Sequence, residues 1–218
     1  MRKSVAAFGL LFVLAVGLRG ADSDGVSQFW EIFGVDWKPV KGLRFDLEKQ
    51  IRYESTFTNI ESDITEVGVR YGLTKWLDIQ ADYRFVNMGT EKRNRLDGNV
   101  IVGWHWGSVS ISNRVRLQKE FIETTSAKDS ELVFRDRLRV TLRRNKALRP
   151  FAGGEIFLGL GEDGREQNKY RLTAGLEYSV TKKVTLSAFY HFQRDLSEAT
   201  NETTHIFACA FHYSFQSF

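Results

Sequence analysis

The sequence predicts an all-β fold, a transmembrane antiparallel up-and-down β-barrel of about ten to twelve strands. Three observations carry that reading. First, apolar and polar residues alternate in run after run. In "VRYGLTKWLDIQADYRF" (69–85), Val69, Tyr71, Leu73, Leu77, Ile79, Ala81, Tyr83 and Phe85 share one parity, and Arg70, Asp78, Gln80, Asp82 and Arg84 take the other. Successive side chains of a strand point to opposite faces, so each run has one apolar and one charged face. Second, short connections alternate with longer polar ones, as at the two rims of an outer-membrane barrel. Third, the charged parity holds ten arginines and no lysine, although the chain has twelve lysines.

The elements follow in chain order. Residues 1–21 run from Arg2 and Lys3 through an apolar stretch, Val5 to Leu18, into small residues. This is the order of a secretory signal peptide, and the stretch is too short to span a bilayer as a helix. Small residues in "AVG" and "RGA" offer cleavage points at Gly17 and Ala21. Removing this segment takes away three cations and no acid, so the formal charge falls from +4 to +1. The basic balance therefore belongs to targeting and gives no reason to propose nucleic acid. Residues 22–42 form an N-terminal extended segment. Its 29–37 stretch is apolar on both parities (Trp30, Ile32 against Phe33, Val35, Trp37), and it is expected in the lumen, beneath the barrel, or paired with the last strand.

The barrel is expected over 43–218, with strands near 43–53, 64–73, 77–86, 95–106, 109–121, 134–143, 150–159, 170–179, 184–193 and 204–215. The connections at 74–76, 107–108, 145–149 and 181–183 are short. Those at 54–63, 86–94, 122–130, 161–169 and 194–204 are longer and polar. No helical period appears. Pro39 and Pro150 fall at strand boundaries, where a missing donor does little harm. One cysteine, Cys209, allows no internal disulfide and reads as a lipid-facing, inert position. A mean hydropathy of −0.31 excludes a membrane helix bundle but not a barrel, half of whose strand residues are polar. "VGVRYGLTKWLDIQADYRF" (67–85) also lines up with "AGLEYSVTKKVTLSAFYHF" (174–192) at a constant offset. The match is what duplicated hairpins would leave, and shared barrel constraints explain it equally well.

The choice of solvent for each face rests on arginine. A face in bulk water mixes lysine with arginine. An enclosed face favours arginine, whose planar fork satisfies two acceptors at once. The charged face is therefore read as the lumen, and the apolar face, with aromatics toward strand ends, as the lipid contact. A secreted soluble barrel carrying a ligand, with the apolar face inside and lysines outside, is the alternative architecture.

The candidate site is the lumen-lining charge network of Arg70, Asp82, Arg84, Arg114, Arg116, Glu120, Arg137, Arg139, Arg143, Glu155, Arg171 and Glu177. It has two readings: an anion site for phosphate or carboxylate, or a salt-bridged plug in a narrow barrel. No catalytic residue, metal site or cofactor is assigned. His191, Asp195 and Asp82 are the residues from which a rim-active protease would have to be built, without a distinctive motif. A lipase-like set needs its histidine on the outer wall, whereas His105, His191 and His212 fall on the inner parity. Gly103, Gly153 and Gly154 read as sites of strand bending or close packing.

"FWEIFGVDWKPVKGLRFDLEKQIRYES", "VRYGLTKWLDIQADYRF", "SNRVRLQKEF", "RDRLRVTL", "RPFAGGEIF" and "QNKYRLTAGLEYSV" span nearly the whole mature chain. In these segments it resembles a family of small Gram-negative outer-membrane β-barrels classed as a domain of unknown function. The resemblance implies a barrel in the outer membrane and no activity. The expected role is a small-solute channel or a structural envelope barrel. The expected partners are outer-membrane lipids and the barrel-assembly machinery during insertion. The aromatic C-terminal strand "IFACAFHYSF" suits that machinery, although Phe218 falls off the parity of Phe215 and Tyr213.

Overall fold

A computed structural model describes residues 26–54, 59–89, 91–124, 128–145, 147–160, 168–196 and 202–216. Residues 1–21, expected as a signal peptide, and Phe218 lie outside the described residues. Eleven strands close into one barrel in meander order: β1 (Val26–Val40), β2 (Leu43–Tyr53), β3 (Ile60–Gly72), β4 (Leu77–Met88), β5 (Glu91–Trp106), β6 (Val109–Glu123), β7 (Lys128–Leu142), β8 (Leu148–Gly159), β9 (Lys169–Ser179), β10 (Val184–Asp195) and β11 (Thr203–Gln216). Neighbours in sequence pair antiparallel. A meander with an odd strand count must bring its first and last strands together pointing the same way, and β1 pairs with β11 in parallel from Val26↔Thr204 to Lys38↔Gln216. Closure leaves no unpaired edge.

The apolar parity faces outward. Phe33, Leu47, Tyr71, Phe85, Leu117, Leu138 and Leu172 are exposed on the outer wall. Asp82, Asp97, Asn99, Arg116, Gln118 and Glu155 are buried within the lumen. This is the reverse of what a soluble carrier with an apolar interior requires. The outer wall carries a polar pair between apolar neighbours: Asn113 Nδ2 donates to Asp136 Oδ1 at 2.6 Å. Outward along β7, Asp136 stands between Phe134 and Leu138.

One open placement is resolved and two expectations are corrected. Of the three places expected for 29–37, pairing with the last strand is the one found, so the segment set apart before residue 43 is a barrel strand. It seemed apolar on both sides because its lumen face, Trp30 and Ile32, meets the equally apolar Ile206 and Ala208 of β11, while Phe33, Val35 and Trp37 face outward. Val26 thus starts at the rim of the longer loops, opposite the rim where β11 ends. Second, 86–94 is not a long loop: β4 runs to Met88, β5 starts at Glu91, and Gly89 turns with φ 72°. Likewise β6 and β7 reach Glu123 and Lys128. Third, the lumen is not free of lysine, because Lys38 and Lys169 line it.

The repeated sequence corresponds to two hairpins with one turn geometry. Thr74 Oγ1 accepts from the amides of Trp76 and Leu77, and Thr181 Oγ1 accepts from those of Lys183 and Val184. In both, the backbone amides before the turn donate to the carbonyl of the first residue after it, Leu77 or Val184. The matched glycines also act alike, since each lets an inward side chain of the next strand lie across its backbone, Asp82 over Gly68 and Phe189 over Gly175.

Candidate functional site in the barrel lumen

The lumen encloses a cavity of about 1110 Å³, lined from Arg44, Asp78 and His105 near the short-turn rim to Arg93, Glu120 and Lys169 toward the loop rim. Alternation alone puts the charged side chains here, because each inward position of β2 to β9 is followed by an outward one. Strand pairing then decides which charges meet.

The most buried cluster spans β3 to β6. Arg116, 3% exposed, sends Nη1 to Asp97 Oδ2 at 2.6 Å, Nη2 to Asp82 Oδ2 at 3.3 Å and Nε to Asn99 Oδ1 at 2.7 Å. Asn99 Nδ2 in turn donates to Asp82 Oδ2 at 2.8 Å. Arg95 reaches Asp97 at 3.0 Å and Glu66 at 3.5 Å, and Arg84 Nε meets Glu66 Oε2 at 2.5 Å. Asp97 is 1% exposed and Asp82 2%. One guanidinium spanning three acceptors is the geometry that makes arginine irreplaceable by lysine at such a point.

A second cluster gathers on Glu155 of β8. Arg135 is 2.9 Å away, Arg114 3.4 Å and Arg171 3.9 Å. Arg135 also donates to Gln118 Oε1 at 3.0 Å and stacks over Phe157, 4.3 Å from the ring centre. Nearer the turn rim, Glu177 takes Arg139 at 2.5 Å and Arg149 at 3.5 Å, with Arg139 lying 3.8 Å above the Phe151 ring. Arg70 pairs with Asp78, and Arg44 with Asp46 at 2.8 Å. Glu120 meets Arg93 at 3.7 Å, and Arg143 stands exposed at the turn rim beyond the end of β7.

All twelve residues expected in the network thus line the lumen or its mouth. They divide into the β3–β6 cluster, the Glu155 cluster and rim pairs. Arg137 is the exception: no hydrogen bond or ion pair joins its guanidinium to a described residue. Four charged central members lie outside the expected twelve, Glu66, Arg95, Asp97 and Arg135. Their signal was present, since they share parity with Arg70, Asn99 and Arg137 on runs that read as strands.

The barrel also has an apolar lumen sector at the β10–β11–β1 seam. Trp30, Ile206 and Ala208 pack there against Phe189. His191 sits in that sector, 4.9 Å from the Phe189 ring and 5.5 Å from Trp30, bonded to Thr173 at 2.7 Å. Asp82 holds entirely different partners on β5 and β6, so the two are not assembled as a catalytic couple. His205 faces outward and meets the Tyr190 hydroxyl at 2.5 Å.

Among solved structures, the chain is similar to the NanC porin in its rhombohedral crystal form, at 11% identity and a TM-score of 0.54 over 78% of this chain and 85% of that one. It is also similar to the translocator domain of the autotransporter NalP from Neisseria meningitidis, at 11% identity and a TM-score of 0.49 over 89% and 91% of the two chains. At this identity the porin likeness shows the fold, that of an outer-membrane β-barrel, and nothing of the solute. No curated protein matches the chain. The profile described as Protein of unknown function (DUF2490) matches residues 27–204, most of the sequence, and the chain belongs to that family of uncharacterised barrels.

Proposed function

We propose that the protein is a non-enzymatic small-solute channel of the Gram-negative outer membrane, exported through residues 1–21 and inserted by the barrel-assembly machinery. The observation that carries this reading is the water-accessible cavity of about 1110 Å³ between charged walls, continuous with the short-turn rim. A purely structural barrel has no need of such a void. The β3–β6 and Glu155 clusters act as a fixed constriction, because Arg95, Arg116 and Arg135 at their centres are each held by two or more partners. Arginine predominates on β6 to β9, so permeating anions are favoured over cations.

The test is single-channel recording in planar bilayers. The wild type is expected to give discrete conductance steps with anion preference. Arg137→Ala with Arg139→Ala widens the lumen without touching the β3–β6 cluster, and is expected to raise conductance and reduce that preference. A protein that inserts with heat-modifiable mobility but never conducts is a plugged structural barrel, the reading that the buried ion pairs themselves favour.

A further inference from the structure

We infer that the short-turn half of the lumen is a binding site for an organic anion, an oxyanion head carried on an apolar or aromatic body. The inference deepens the channel reading and rests on it only in taking this half of the lumen to be open to solvent.

The head group is argued from uncompensated charge. Arg114 and Arg137 stand directly opposite each other across the β6–β7 ladder. Like charges so placed destabilise a sheet. The lumen has other such rows, and each is neutralised. Arg84 and Arg95 share Glu66, Arg44 has Asp46, Arg70 has Asp78, and Arg116 and Arg135 have Asp82, Asp97 and Glu155. The Arg114–Arg137 row has only Glu155, which already receives two hydrogen bonds from Arg135 at 2.9 and 3.2 Å. Arg114 keeps one contact to it at 3.4 Å, and its Nε is buried without a hydrogen-bond partner in the protein. Among the described residues none makes a hydrogen bond or ion pair with the Arg137 guanidinium. Two guanidinium groups with unused donors, side by side on a cavity wall, form a fork-shaped receptor for a carboxylate or phosphate oxygen pair.

The body is argued from what flanks that row. Phe151 on β8 and Phe189 on β10 form a shelf with ring centres 6.2 Å apart beside Arg139. Gly175 between them is obligatory, because a Cβ there would stand 2.7 Å from Phe151 Cζ. In the ring of eleven strands, β6 and β7 lie across the lumen from β1 and β11, whose cavity wall carries the apolar Trp30, Ile32 and Ala210, with Asp36, Lys38 and His212 nearer the turn rim. Phe151 is already covered by Arg139, but an inorganic anion or a hydrophilic sugar would leave Phe189 and Ile32 unused, whereas a carboxylate carrying an aryl group on a short chain covers them.

The test is calorimetric titration of the full-length barrel in a nonionic detergent with 4-phenylbutyrate, acetate, inorganic phosphate and neutral 4-phenylbutanol, with empty micelles as the blank. Saturable 4-phenylbutyrate binding is expected, about tenfold or more tighter than acetate, phosphate or the alcohol. Arg137→Gln, which breaks no ion pair, is expected to weaken it about tenfold or more. Phe189→Ala is expected to reduce the aryl preference over acetate. Heat-modifiable mobility confirms folding of each variant. Equal binding of the alcohol, or no change in Arg137→Gln, overturns the site, and phosphate binding as tight as 4-phenylbutyrate overturns its apolar half. A barrel that conducts but fails to bind 4-phenylbutyrate refutes this inference and leaves the channel reading standing. One that binds and never conducts upholds the site and removes the channel.

Discussion

Replacing Arg116 by methionine tests the β3–β6 cluster at its hub. The substitution keeps the stem but deletes the group that contacts Asp97 at 2.6 Å, Asn99 at 2.7 Å and Asp82 at 3.3 Å. Arg95 still holds Asp97 at 3.0 Å, but Asp82 is left with the neutral donors Gln80 and Asn99. Breaking a buried pair by removing one partner costs about 3–5 kcal/mol. Against an ordinary stability of about 5–15 kcal/mol, that is a large fraction. Arg116→Lys keeps the charge but cannot span three acceptors, and a loss of about 1–3 kcal/mol is expected. The double variant Arg116→Met, Asp82→Asn removes the stranded charge as well and is expected to regain most of the loss, because the cost lies in unpaired buried charge. Unfolding by guanidinium in lipid vesicles, followed by tryptophan fluorescence and gel mobility together, gives the free energies by linear extrapolation. A loss below about 1 kcal/mol for Arg116→Met, or a double variant no better than the single, would refute the assignment of Arg116 as the hub.

Three other substitutions probe separate parts of the barrel by the same unfolding measurement. Gly175→Val forces side-chain atoms to within 2.7 Å of the Ala188 carbonyl and Phe151 Cζ, and a loss of about 1–3 kcal/mol is expected, with Gly98→Val, where the space is open, as the tolerated control. Asp136→Leu combined with Asn113→Val removes the polar pair from the lipid wall and is expected to raise stability by about 1–3 kcal/mol, whereas a loss would mean that the pair faces protein or water. Thr74→Val and Thr181→Val each delete a side-chain acceptor of two turn amides, and both are expected to cost about 1 kcal/mol, equal within error because the turns are alike.

Much of this barrel is legible in the sequence wherever a strand crosses hydrocarbon with a charged lumen behind it. There the solvent on one side and the ion pairs on the other enforce opposite residue types, and 69–85 reads without ambiguity. Legibility fails where one of those conditions lapses. At the seam, β1 and β11 present Trp30, Ile32, Ile206 and Ala208 to the inside, so apolarity no longer distinguishes the faces. Beyond the bilayer the outward face turns polar as well: Asn87, Lys92 and Asn94 sit outward on β4 and β5, which made strand ends resemble loop. Lys49, paired with Asp63 on the outer face, marks the same boundary. The individual charges of the lumen were legible through parity, and Arg95, Asp97 and Arg135 needed only that rule. Their partnerships were not, because register decides whether Arg116 meets Asp97 and leaves Arg137 unpaired, and register is not encoded in one strand alone.

The central claim is that the arginine-bearing wall faces the lumen and the aliphatic wall faces lipid. Spin labels placed singly at residues 138, 139, 140 and 141 test it most directly, by their relaxation with lipid-soluble oxygen and with a water-soluble nickel complex in vesicles. Labels at Leu138 and Val140 are expected to sense oxygen, and labels at Arg139 and Thr141 the nickel complex, in strict alternation. Loss of that alternation, or its inversion with Leu138 in water and Arg139 against lipid, would contradict the account.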